Sequence, residues 1–85
     1  MNIYSIHDAA AQYFINPFVA QTDAQATRMF IGSLGESFPH RADFTLHCLG
    51  TFDPDTGNIA ADPRLVMAGL SIAEKFNPSK EEPNQ

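Results

Sequence analysis

Hydrophobic and polar residues alternate most regularly in residues 43–52, which read DFTLHCLGTF. Because successive side chains of an extended strand point to opposite sides, this alternation predicts a strand with one buried face. The residues on that face are Phe44, Leu46, Cys48 and, past Gly50, Phe52. Residues 53–57, DPDTG, follow it with a proline, side-chain acceptors and a glycine free to adopt positive φ. They predict a turn and a short returning strand over 58–60.

The first twenty residues predict a hairpin. Residues 3–7 alternate, with Ile3 and Ser5 on one face and Tyr4 and Ile6 on the other. Residues 8–11 are short enough for a turn between two strands. The returning strand covers 13–19, and Pro17 interrupts its ladder because proline has no N–H.

Two segments have helical signals. Thr22, Asp23 and Gln25 form a helix start, since the threonine side chain can cap and Gln25 can complete a capping box. Apolar residues at three- and four-residue spacing extend this helix over 22–34, with Gly35 just after its end. Pro63, preceded by Asp62, similarly predicts a second helix over 64–76.

These elements predict an α+β fold with a small antiparallel sheet of three to four strands and one or two helices packed on one face. Residues 1–76 form a single domain. Residues 37–42 lack periodicity and predict a polar, exposed loop before the central strand. Residues 77–85 contain two prolines, Lys80 and a pair of glutamates, which predicts a flexible acidic tail.

Size and composition restrict the choice of partners. A chain of 85 residues has a small core, yet it contains seven Phe and two Tyr. Aromatic residues shared between two subunits would add the stability that one copy lacks, so we expect a homodimer. Residues 1–73 carry three arginines against seven Asp and Glu, and the net charge of the whole chain is −5. This balance argues against tight, charge-driven nucleic-acid binding, but it leaves room for a local basic patch.

Nothing in the chain resembles a signal peptide or an apolar run long enough to span a membrane. The single cysteine excludes an internal disulfide. We therefore expect a soluble protein in a reducing compartment.

The sequence predicts no enzyme, no metal and no cofactor. His7, His40 and His47 do not have the spacing of a metal-ligand motif. Cys48 and His47 lie on opposite faces of the predicted strand, which excludes them as a nucleophile and base pair. The acidic residues near 53–62 lack the pattern of a calcium-binding loop and are explained by turn chemistry.

One group of residues is a candidate single-stranded DNA surface. Aromatic side chains that project from a sheet can stack on bases, and arginines can contact phosphates. The alternative is that the aromatic residues belong to the core or to a subunit interface, and that the arginines are ordinary surface charges. The candidate residues are Tyr4, Tyr13, Phe14, Phe18, Arg28 and Arg41.

Four segments together carry a resemblance to a known family. They are IYSIHD at 3–8, then Pro17-Phe18 with Gln21, Ala24, Ala26 and Arg28, then DFTL at 43–46, and LGTFD at 49–53 continuing to Thr56-Gly57. In their order and spacing they resemble the small nonstructural protein of gokushovirus-like microviruses, which are single-stranded DNA phages.

The resemblance implies a phage protein in the host bacterial cytoplasm that acts in viral genome replication, at the switch to single-stranded DNA synthesis. It carries no catalytic motif onto this chain. Two modes of action remain open. The protein contacts single-stranded DNA, or it is an interaction module that binds the replication initiator or the procapsid without touching DNA. Clustered arginines beside exposed aromatic rings favour the first, and a continuous apolar face without basic neighbours favours the second.

Overall fold

The computed structural model describes residues 1–78 and contains five antiparallel strands and one α-helix. This arrangement confirms the predicted α+β fold. The strands are β1 (Asn2–Asp8), β2 (Tyr13–Phe14), β3 (Phe18–Ala20), β4 (Phe44–Phe52) and β5 (Ile59–Ala68), and the helix is α1 (Asp23–Leu34). Three 3-10 segments cover Gly35–Asp43, Gly69–Ser71 and Glu74–Phe76.

The first strand lies in the middle of the sheet. One edge of β1 pairs with β4, and β5 follows β4 at the outside of the sheet. The other edge of β1 is shared, since β2 pairs with its end at His7 and Asp8 and β3 pairs with its beginning. The returning strand is therefore divided around Asn16-Pro17, as the missing proline N–H predicts.

Local sequence determines both predicted turns. In the first, the Asp8 side chain accepts hydrogen bonds from the backbone N–H groups of Ala10 and Ala11. In the second, the Asp53 side chain accepts from the N–H of Asp55, and the backbone N–H of Gly57 donates to the Asp53 carbonyl. Gly57 has a φ of 79°, which a residue with a side chain rarely adopts.

The helix begins as its sequence predicts. The Thr22 hydroxyl accepts from the backbone N–H of Gln25 at 3.1 Å, and the Gln25 side chain accepts from the N–H of Gln21. Ala26, Phe30 and Leu34 form the buried stripe of α1 and cover one face of the sheet. On that face lie Tyr4, Ile6, Leu46 and Cys48, all nearly or fully buried.

The predicted second helix over 64–76 is wrong. Residues 59–68 instead form β5, which is paired with β4 along most of its length, for example Met67 with Leu46. Pro63 is compatible with this strand because neither it nor Asp62 has a pairing partner in β4, so no ladder N–H is needed there. The apolar run Leu65-Val66-Met67 belongs to a strand, and only two short 3-10 segments follow it.

Three further predictions need correction. Residues 37–42 are mostly exposed, as predicted, but they lie in the 3-10 segment Gly35–Asp43 and not in an irregular loop, and Phe38 is completely buried. Asn77 is buried and belongs to the folded part of the chain, whereas residues 79–85 of the predicted tail lie outside the described residues.

The third correction concerns Phe52. A register shift in β4 pairs Cys48 with Tyr4 but Gly50 with Ile3, so the alternation reverses after Cys48. Phe52 therefore lies on the side of Ile3, opposite the helix, and the two residues line one shallow groove. A bulge of this kind moves every later side chain to the other face.

Candidate interaction surfaces

One face of the sheet has no helix against it. We call it the open face, and it consists of the strand residues that alternate with the buried core positions. Its strand positions include no Asp, Glu, Lys or Arg, although the chain as a whole is acidic. They are Ile3, Ser5, His7, Phe14, Val19, Thr45, His47, Gly50, Phe52, Ile59, Ala61, Leu65 and Ala68.

Three rings meet on the open face. The ring of Phe14 lies 4.7 Å from that of His7 and 5.4 Å from that of His47, measured between centroids. The His47 ring Nε2 is 2.9 Å from the Thr45 hydroxyl. Beside this cluster Ser5 is fully buried and donates a hydrogen bond to the Ile15 carbonyl at 2.6 Å, which fixes the segment after β2 against β1.

The surroundings of His47 disfavour its protonated form. Burial, and secondarily the nearby His7 imidazole, hold the pKa of His47 below its usual 6.5. The strand positions of the open face provide no carboxylate to offset this. The unfolded chain therefore binds a proton at His47 more readily than the folded chain does.

We expect folding stability to fall as the pH is lowered through 6.5 towards the depressed pKa of His47, with the contribution of this group fully present above 6.5. Urea denaturation midpoints between neutral and mildly acidic pH measure the effect, and His47→Gln should flatten the slope. His40→Gln, at an exposed position, is the control. An unchanged slope in His47→Gln would contradict this assignment. The Asp23 carboxyl affects folding stability only at lower pH, because hydrogen bonds from Arg64 and Tyr4 hold its pKa below the usual 3.8.

The structure separates the six residues of the candidate DNA surface. Tyr4 is fully buried on the helix side, where its hydroxyl donates to Asp23 at 2.6 Å. Phe18 is half-buried and its ring stacks on Tyr4 with 5.8 Å between centroids. Tyr4 is therefore not accessible to a base, and Phe18 serves mainly to cover it.

The arginines also differ from one another. The Arg41 Nε donates to the Ile72 carbonyl, its guanidinium lies 4.6 Å from the centroid of the Phe38 ring, and it pairs with Glu74. Arg64 forms two hydrogen bonds with the Asp23 carboxylate, at 2.9 and 3.0 Å. Both side chains link separate parts of the chain. Arg28 is exposed and has no carboxylate within 4 Å among residues 1–78.

Tyr13 and Phe14 remain exposed at the end of the first hairpin. Phe14 belongs to the open face, and within residues 1–78 no Arg or Lys side chain lies over the ring of either residue. The structure therefore does not bring the predicted aromatic residues and arginines together.

A second surface was missed by sequence reasoning. A groove of about 440 Å³ runs between α1 and the residues after β5, and a smaller one of about 310 Å³ continues it towards Pro78. Both are lined by Arg28, Ile31 and Phe76, and we call them together the Arg28 groove. Its remaining lining is mostly apolar: Ala24, Thr27, Gly32, Met67, Ser71, Ile72, Ala73 and Pro78.

Lys75 adds a second cation beside the Arg28 groove. Its Nζ lies 5.2 Å from the centroid of the Phe76 ring, which is 46% exposed. The four described basic residues thus fall into two groups, with Arg41 and Arg64 ion-paired and Arg28 and Lys75 unpaired. The adjacent Lys75 and Phe76 were the sequence feature that could have indicated this surface. They were overlooked because residues 64–76 were predicted to form a helix.

Residues 1–78 also offer little for metal binding or for a reactive cysteine. No group of three or more His, Cys, Asp or Glu side chains is placed to hold a metal ion there. Cys48 is buried, with its Sγ 3.6 Å from the Gly50 carbonyl, and it lies on the opposite face from His47. A groove of about 660 Å³ beside the 53–57 turn is shallow, and it is lined by Met1, by residues of the turn and by the adjoining ends of β4 and β5.

The fold and surfaces define a small α+β protein with one covered and one open sheet face, and with a separate groove that is lined by Arg28 and Phe76 and has Lys75 beside it. A family described as Phage ORF5 protein matches residues 1–72. The chain belongs to this family, and it is a phage protein. No curated protein and no solved structure matches it. In the described part of the chain, no helix is long and apolar enough to cross a membrane.

Proposed function

We propose that this phage protein acts without catalysis in viral genome replication, at the switch to single-stranded DNA synthesis, and that it contacts single-stranded DNA through the Arg28 groove. The resemblance to the nonstructural protein of gokushovirus-like microviruses supports the replication role. One observation supports the mode of action: Arg28 lines the same groove as the exposed Phe76 ring, and Lys75 lies against that ring, with neither cation in an ion pair within residues 1–78.

The chemistry of a single strand fits these groups. Arg28 and Lys75 can each neutralise a phosphate, and no carboxylate among residues 1–78 lies within 4 Å of either to compete. Phe76 supplies a ring on which one base can stack, a contact worth about 1–3 kcal/mol. Of the six residues predicted to contact DNA, only Arg28 lines this groove. The stacking ring is that of Phe76 and not one of the aromatic residues of the first hairpin.

The acidic balance of the chain limits the affinity. Arg28 is the one described basic residue that lines the groove, Lys75 lies beside it against Phe76, and the net charge of −5 repels phosphate. We therefore expect weak binding whose logarithmic salt dependence has a slope of about −1.4 for two phosphate contacts on a single strand. A protein of this kind would act where single strands are abundant.

The test is fluorescence anisotropy of a labelled single-stranded oligonucleotide at low and at physiological salt. Arg28→Ala and Lys75→Ala should each weaken binding and reduce the magnitude of the salt slope by about 0.7. Phe76→Leu should weaken binding about fivefold or more while leaving the slope unchanged, because it removes stacking and no charge.

Arg64→Ala is the matched control. It changes the net charge as Arg28→Ala does, but Arg64 is ion-paired with Asp23 and does not line the groove. Equal losses in Arg64→Ala and Arg28→Ala would show an unspecific charge effect and contradict the groove. Absence of binding at tens of micromolar, with the protein folded, would contradict DNA contact altogether.

The apolar lining of the groove favours a second candidate function. Ile31, Met67 and Ile72 can pack against the apolar side chains of a protein, with Arg28 bound to a carboxylate. The partner would then be the phage replication initiator or the procapsid. Calorimetric titration with the purified initiator, repeated with Arg28→Ala, tests this candidate independently of the oligonucleotide experiment.

A further inference from the structure

The open face has properties that suit a second copy of the same chain. Its strand positions carry no formal charge, whereas the chain has a net charge of −5. Two copies that approach through any acidic surface repel each other, and the open face avoids that repulsion. It is also apolar, with Phe14, Val19, Ile59 and Leu65 each about half or more exposed.

Within residues 1–78 the molecule has only two layers, the sheet and the helix that covers one of its faces. Its shortest dimension is 18 Å, which matches one sheet and the single helix layer on it. The sheet therefore has a core on one side and an aromatic and aliphatic surface on the other. A sheet from a second copy, packed about 10 Å away, would convert the open face into the interior of a sandwich.

The open face has close to the smallest area that such a contact needs. Four strand positions across at about 4.8 Å each, and nine residues along β4 at about 3.3 Å each, give a footprint of roughly 570 Å² per copy. Two copies would bury about 1,100 Å² or more, since side chains add to the flat footprint. That area lies near the lower limit of stable interfaces, about 1,200 Å².

The free edge of the sheet is a poorer site for a second copy. The outer edge of β5 includes Pro63 near its middle, and the strand is irregular there because Asp62 and Pro63 have no partners in β4. Proline and bulges on an edge strand oppose pairing with another edge. This argues for contact through the face and against a continuous sheet across two copies.

We propose that two copies of this chain associate through their open faces, with Phe14, Val19 and Leu65 buried between the two sheets. The interface is separate from the Arg28 groove, so the homodimer does not depend on the proposed function. Each dimer then presents two Arg28 grooves on its helix sides.

The test is the molar mass of the full chain in solution, measured by sedimentation over a concentration series. We expect a concentration-dependent dimer for the natural sequence. Leu65→Glu and Val19→Glu each place carboxylates of both copies in the contact and should weaken dimerisation about thirtyfold or more. Circular dichroism shows whether each variant is folded.

Leu70→Glu is the matched control, since Leu70 is 70% exposed but lies in the 3-10 segment after β5, outside the open face. It adds the same charge and should leave the dimer intact. A natural chain that stays monomeric at high concentration overturns the proposal, as does a dimer that resists both Leu65→Glu and Val19→Glu. Arg28→Ala should not change the mass, which separates this result from the oligonucleotide experiment.

Discussion

Replacing Phe30 by alanine should reduce the free energy of unfolding by about 3–5 kcal/mol. Phe30 is the largest fully buried residue of the α1 stripe and belongs to the same core cluster as Tyr4, Leu46 and Phe38. With a single helix on the sheet, the described part of the chain has no second helical layer to close the space that the ring leaves. A domain of this size has about 4–13 kcal/mol of stability in total, so the loss is a large part of it.

Urea denaturation midpoints of the natural chain and of Phe30→Ala measure this effect. Met29→Ala is the control because Met29 is the preceding helix residue and is 43% exposed. Its replacement should change the free energy of unfolding by no more than about 0.5 kcal/mol. Similar losses in the two variants would mean that the helix does not pack on the sheet through Phe30.

The sequence predicted those parts of the fold in which local chemistry is sufficient. The cap at Thr22, the turn at 53–57 and the interruption at Pro17 each depend on side chains within a few residues of one another. The faces of β1 and the burial of Leu46 and Cys48 follow from simple alternation. None of these features requires knowledge of what lies on the other side of the domain.

The sequence did not predict features that depend on distant pairing. Residues 64–68 have an apolar pattern that suits a helix or a strand, and the ladder with β4 selects the strand. The irregular register after Cys48 cannot be read from spacing, yet it moves Phe52 to the open face. Phe38 has no periodic neighbours, so its burial was invisible before the helix and sheet were assembled.

The candidate site shows the same division. The sequence left open whether the aromatic residues of the first hairpin are exposed or buried, and Tyr4 proves to be buried under the helix, with its hydroxyl donating to Asp23. Arg41 and Arg64 find partners 31 and 41 residues away along the chain. Arg28 and Lys75 can be identified as the basic residues without an ion pair in residues 1–78 only after these distant partners are known.

The two proposed surfaces differ in charge and in the partner that each would bind. The strand positions of the open face carry no formal charge, which supports the proposed contact with a second acidic chain, whereas Arg28 lines the groove on the helix side and supports the proposed contact with phosphate. Dimerisation through the open face would then give two weak grooves on one particle. Linked weak sites bind a long single strand more tightly than one site does, provided that the strand spans both.

Replacing Gly69 by alanine should destabilise the fold by about 3 kcal/mol, at the upper end of the usual cost of overpacking. Gly69 is buried where the segment after β5 crosses the end of the 3-10 segment Gly35–Asp43. A Cβ atom there would overlap the carbonyl oxygen of Arg41 and would lie 2.7 Å from that of Phe44. Both obstacles are backbone atoms, so neither can rotate away as a side chain would.

The matched control is Gly32→Ala, because a Cβ atom at Gly32 meets nothing within 4 Å and the residue lies inside α1. Alanine is favoured over glycine in a helix interior by about 1 kcal/mol, so this variant should be more stable than the natural chain. Denaturation midpoints should therefore move in opposite directions for the same chemical change. A Gly69→Ala protein as stable as the natural chain would show that the segment after β5 does not pack against Arg41 and Phe44. The lining of the Arg28 groove by Ile72 and Phe76 would then also be in error.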